Sequence, residues 1–211
     1  MNDWLHGVLV PPLGIKEIRC QAEAIRTSVH LAATEPFPVL AFLEHALPIV
    51  FPEFDLEIVE ELPNHDEACA YPDGCQEHPH GPLIRLTVEV YEDAYAYNGR
   101  ARMTVVHECA HVILHRQVAV HPRGPRGSDL KPYRNSEWQA TQLAAELLMP
   151  PASVELYATL SEFCQQMGVS RQAAQLRAEK LLDRGEVRQV RWYRPSEARK
   201  QLEVSEMHSR R

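Results

Sequence analysis

Apolar positions fall into segments of two different periods along this chain. Residues 15 to 32 place Ile15, Ile18, Ala22, Ile25 and Val29 near helical spacing, and a second apolar run over 37 to 47 predicts a short helix. Phe54, Leu56 and Ile58 then alternate with Asp55 and Glu57, the pattern of a strand with one wet face. A segment rich in Pro, Gly and His, 63 to 82, reads as irregular connection. Alternation returns at Leu83 to Tyr91, with Ile84, Leu86, Val88 and Val90 on one face, and predicts a second strand. Beyond Asn98 and Gly99 the run Ala101 to His115 is helical in character, as is Ser136 to Leu148, stopped by Pro150 and Pro151. Two short helices over 160 to 168 and 170 to 182 flank Gly168-Val169-Ser170, with Ser170 as the second N-cap. The expected organisation is a main domain over 1–150 and a helical extension with a basic tail over 151–211.

Charge divides the chain in the same sense. Residues 1 to 170 carry 11 Lys and Arg against 23 Asp and Glu, whereas 171 to 211 carry 11 against 6. The tail is therefore compatible with an anionic partner that the body would repel, and nucleic acid stays open as a partner. Five scattered cysteines, Cys20, Cys69, Cys75, Cys109 and Cys164, form no disulfide framework in a chain of this size. The first residues lack a basic segment ahead of an apolar core, and no window approaches the roughly 20 apolar residues of a membrane span. The expectation is a cytoplasmic protein without a membrane partner.

Chemistry concentrates at His107-Glu108-Cys109-Ala110-His111. Four residues on a helix is one turn, so both imidazoles can address one ion, while Glu108 lies about 100° around from His107, near a water but off the ion itself. Zinc takes such ligands tetrahedrally, keeps a position for water when catalytic, and brings that water toward a neutral pKa; Glu108 is then the general base. The motif fixes only three residues and also arises by chance, where the histidines would be a satisfied core pair. Val105, Val106, Val112, Ile113 and Leu114 bury much of this helix, however, which makes unpartnered histidines costly.

A third ligand is expected downstream, from His115, His121, Asp129, Glu137 or Glu146. His115 would have to reach the ion from a second turn up, and reads better as a pocket or surface histidine. Glu137 shares a stripe with Ala140, Ala144 and Leu147 or Leu148, which places it on a buried face. Glu146 lies about 180° from it and should face solvent. Two histidines and a glutamate form a catalytic zinc set, although a first-turn glutamate is also what the helix dipole alone would favour. Thr141, one turn on, is within reach of a ligand's outer hydrogen bond.

The segments RMTVVHECAHVILH (102–115) and EWQATQLAAELLMP (137–150), in this order, resemble the ImmA/IrrE family of metallopeptidases. The similarity spans about 54 to 182 and is strongest over 100 to 150. It implies an α+β, zincin-like fold in which a small sheet packs on the HExxH helix and a second helix bears a glutamate. It also implies a Zn²⁺ site of His107, His111 and Glu137 with Glu108 catalytic. The implied activity is endopeptidase cleavage of an intracellular protein, such as a helix-turn-helix transcriptional repressor. Ala110 stands where the family often has glycine, and Thr141 where it usually has asparagine.

Three weaker patterns remain. Cys69, Cys75, His78 and His80 fall within twelve residues, but not at the short spacing of a zinc knuckle. The 160–182 segment has the outline of a helix-turn-helix with Arg171, Gln172, Gln175 and Arg177 on its second helix, and Trp192 and Tyr193 sit among arginines. Together with the basic tail they motivate an alternative, a DNA-binding regulatory protein with a structural or inactive metal site. Tyr133 could serve an oxyanion or anchor its loop.

Overall fold

A computed structural model describes residues 7–116 and 130–194. Its elements in chain order are α1 (Ile15–Ser28), α2 (Val39–Ala41), a π-helical stretch (Phe42–Ala46), α3 (Leu47–Val50), β1 (Asp55–Val59), β2 (Ala68–Tyr71) and β3 (Leu83–Thr87). There follow α4 (Val88–Tyr95), α5 (Gly99–His115), α6 (Ser136–Leu148), α7 (Pro151–Leu156), α8 (Leu160–Met167) and α9 (Arg171–Asp183). The architecture is α+β, a small sheet against α5, which in turn packs on α6.

The sheet has the order β1-β3-β2, with β1 parallel and β2 antiparallel to β3. Ile84 and Leu86 of the central strand are fully buried. Arg85 leaves the other face and pairs with Glu57 at 2.5 Å and Glu77 at 2.9 Å. The second strand ends earlier than its alternation predicts. Thr87 accepts a hydrogen bond from Val90 N at 3.3 Å and so caps α4, whose Val90 and Ala94, four residues apart, turn to the core. β2 lies inside the stretch expected to be irregular; its four residues acquire strand structure by pairing with β3.

Helix α5 begins where Asn98 accepts from Arg100 N at 2.9 Å and Ala101 N at 3.4 Å. Its first residue, Gly99, meets the α8–α9 turn so closely that a Cβ would stand 2.3 Å from Ser170 N. Arg102, 3% exposed, donates to Gly168 O at 3.0 Å and Phe37 O at 2.8 Å, tying both chain halves to α5. Ser170 caps α9 by accepting from Ala173 N at 3.1 Å, as expected.

Helix α6 is covered on every side. Ala140, Leu143, Ala144, Leu147 and Leu148 are fully buried, and the small residues let it lie close against α5. Glu146 is therefore not solvent-facing: it is 2% exposed and held by Arg177 at 2.7 Å and Arg19 at 2.9 Å. Burial opposes its ionisation, but the two guanidiniums overcome that and keep its carboxyl below the usual range. Phe163, Met167, Ala174, Ala178 and Leu181 from α8 and α9 join the same core as α5 and α6.

Candidate metal centre

Two neighbouring helices bring the site together. On α5, His107 and His111 stand one turn apart, their ring centroids 4.8 Å from each other. Glu137 occupies the first turn of α6, whose N-terminus is capped by Asn135 accepting from Trp138 N at 3.1 Å. His107 Nε2 is 3.0 Å from Glu137 Oε2 and 3.1 Å from His111 Nε2, and His111 Nε2 is 3.4 Å from Glu137 Oε1. The three side chains are among the described groups that could hold a metal ion. Ligands at about 2.0–2.1 Å around a tetrahedral zinc stand about 3.3–3.4 Å apart, and these separations, which run to both oxygens of the Glu137 carboxylate, lie near that spacing. The donor chemistry, two imidazoles and a carboxylate, fits zinc as well.

The electrostatics favour a cationic guest. Burial works against ionisation of Glu137, yet hydrogen bonds and attraction from His107 and His111 together hold its carboxyl well below the usual range. Glu108 behaves oppositely: burial pushes it above the ordinary carboxylate range, against the two histidines and a backbone hydrogen bond at Ala70. Thr141 Oγ lies 3.5 Å from His107 Nδ1, on the side away from the other donors.

A cleft of about 660 Å³ opens on the site. One wall is the edge strand β2, through Ala68, Cys69, Ala70 and Tyr71; another is the chain start at Val8 and Val10. That segment is fastened to the α6 entrance by Val8 N donating to Ser136 Oγ at 3.0 Å, and by Val10 N donating to Arg134 O at 3.0 Å. Burial raises the Cys69 thiol's pKa, with the Tyr71 hydroxyl acting against it.

His115, expected as a pocket or surface histidine, lines the cleft at 6% exposure; it contacts His111 and is not itself one of the three clustered donors. Burial first, and His111 second, push it down to about 4. The main-chain carbonyl of Tyr133 accepts from Leu13 N at 2.8 Å. His121 and Asp129 lie outside the described residues. Among the described residues Cys69, Cys75, His78 and His80 do not form a ligand cluster; His78 instead gathers with Asp55 and Glu57. Sequence reading missed the β2 wall, the Val8–Val10 wall and Gln139, whose buried amide contacts His115.

Residues 85–179 match the peptidase family profile described as the IrrE N-terminal-like domain. The chain carries an ImmA/IrrE family domain. The matched span begins in β3 and takes in α5 and α6 whole, and hence the HExxH motif and Glu137. Family and donor triad together support a metal-dependent peptidase function in general terms. No curated protein matches the chain. Among solved structures, a Mycobacterium tuberculosis transcriptional regulator is similar at 12% identity and a TM-score of 0.49. The alignment covers 78% of this chain and 46% of that one, so the chain spans about half the length of that protein. No described helix is long and apolar enough to cross a membrane.

Proposed function

We propose that this protein is a cytoplasmic zinc endopeptidase in which His107, His111 and Glu137 hold the ion and Glu108 is the general base. The observation that carries the reading is the convergence of these three side chains: His107 Nε2 and His111 Nε2 are 3.1 Å apart, and each lies within 3.4 Å of a Glu137 carboxylate oxygen. When bound, zinc supplies Lewis acidity that polarises a carbonyl and brings water toward a neutral pKa. Glu108, adjoining the triad and raised by burial, is suited to accept a proton from water and return it to the departing amine. The β2 edge beside it offers main-chain groups along which an extended protein segment can lie as an added strand.

In this reading residues 1–150 carry the chemistry, and α8 and α9 of the 151–211 extension brace α6 from behind. The family resemblance points to a helix-turn-helix repressor as the substrate class. The alternative, a DNA-binding regulator, is disfavoured by two of its own residues. Arg177 is 3% exposed and paired with Glu146, and Trp192 stacks on the buried Phe163 at 5.1 Å. Incubation of zinc-loaded protein with purified repressors of that class tests the proposal. Zinc-dependent cleavage should fall about 10²–10⁴-fold in Glu108→Gln while zinc is retained. Undiminished cleavage by that variant removes the mechanism, and intact repressors remove the substrate class.

A further inference from the structure

Gln139 lies on α6 two residues beyond Glu137, 2% exposed. Its Nε2 is 2.8 Å from Pro11 O and 2.9 Å from Tyr133 O. Carbonyl oxygens only accept, so the amide must present its NH₂ group to them; turned over, it would set an oxygen against two oxygens. Gln139 Oε1 is thereby committed to the opposite side, where it stands 3.2 Å from His115 Nε2. That contact requires a hydrogen on His115 Nε2, and a neutral imidazole then keeps its lone pair on Nδ1. This lone pair faces His111 Nδ1 at 3.0 Å. Two lone pairs make no hydrogen bond, so His111 Nδ1 carries the hydrogen and donates it. His111 Nε2 is left bare, and it is the atom that faces His107 and Glu137.

We propose that Gln139 and His115 are positioning residues that fix the tautomer and ring orientation of His111 as a zinc ligand, a role that rests on the ligand set proposed above. A ligating histidine commonly donates its second N–H to a carboxylate, carbonyl or water. Here a second imidazole is interposed, and the amide behind it is anchored on the carbonyls of Pro11 and Tyr133. The segment that walls the cleft is therefore connected to a ligand by hydrogen bonds whose directions are all determined.

Two measurements test this. Long-range ¹H–¹⁵N correlation on the metal-free parent protein should show His115 with its proton on Nε2 and His111 with its proton on Nδ1. A proton on His115 Nδ1 overturns the proposal, and this readout needs no variant and no bound ion. Zinc affinity, measured by chelator competition, should then fall about 10–100-fold in Gln139→Leu. Gln139→Glu, as the neutral acid, keeps an acceptor toward His115 and one donor toward the two carbonyls, and should lose less zinc affinity than Gln139→Leu. Equal losses in both variants would mean that Gln139 matters only as packing, and affinity unchanged in Gln139→Leu would likewise end the proposal. Failure of the parent to bind zinc would instead strike the ligand set, leaving the tautomer pattern to decide this point by itself.

Discussion

Replacing Arg177 by methionine removes a charge from the most enclosed ion pair described in the molecule while conserving much of the side-chain volume. Arg177 and Glu146 are 3% and 2% exposed, 2.7 Å apart, and Arg177 Nε also donates to Met149 O at 3.0 Å. Removing one partner of such a pair costs about 3–5 kcal/mol, because the other charge stays buried. Arg19 still holds Glu146, at 2.9 and 3.1 Å, so the loss should sit at the lower end, about 3 kcal/mol. With a urea slope of about 2–3 kcal/mol per molar, the unfolding midpoint should drop by about 1–1.5 M. Combining Arg177→Met with Glu146→Leu should recover much of that, since apolar replacement of a whole buried pair is often neutral. The pH dependence has a definite sign. Glu146 is held below its unfolded value, so the pair's contribution is present above that value and is lost as pH falls through the folded one. The Arg177→Met deficit should therefore shrink in acid. A loss under about 1 kcal/mol at pH 7, or a double variant less stable than the single one, would show that the buried pair does not stabilise the fold in this way.

Other perturbations read the packing that sets the site. Ala144→Leu puts three extra carbons where α6 lies close against α5, and should cost about 1–3 kcal/mol and weaken zinc binding together, seen by urea unfolding and chelator competition. Gly99→Ala sets a Cβ against backbone at 2.3 Å and should destabilise by a similar amount, about 1–3 kcal/mol, with zinc binding per folded molecule unchanged. Zinc at 100 times its dissociation constant should stabilise the parent by about 2.7 kcal/mol, and His111→Ala should abolish that gain.

The site's frame was legible because it is local. One helical turn relates His107 to His111, and a stripe of small residues placed Glu137 on a buried face of the neighbouring helix. The prediction for Glu146 went wrong on the same helix. Angular spacing gives the side on which a residue lies, but not what covers that side, and here Arg19 of α1 and Arg177 of α9 enclose it. The second strand was read too long because Val88 to Tyr91 continue its alternation, whereas the Thr87 cap decides in favour of helix. β2 carries almost no signal of its own, since its strand character comes from β3, more than ten residues away. Gln139 was invisible for a like reason: it contacts His115, 24 residues before it, and Pro11, 128 residues before it.

The proposed site places one zinc ion between α5 and α6 on His107, His111 and Glu137. Crystals of the protein loaded with one equivalent of zinc, measured on both sides of the zinc absorption edge, test it most directly. A single anomalous peak is expected about 2.0–2.2 Å from His107 Nε2, His111 Nε2 and a Glu137 carboxylate oxygen. A peak at Asp55, Glu57 and His78 instead, or one beside the two histidines with Glu137 turned away, would contradict it.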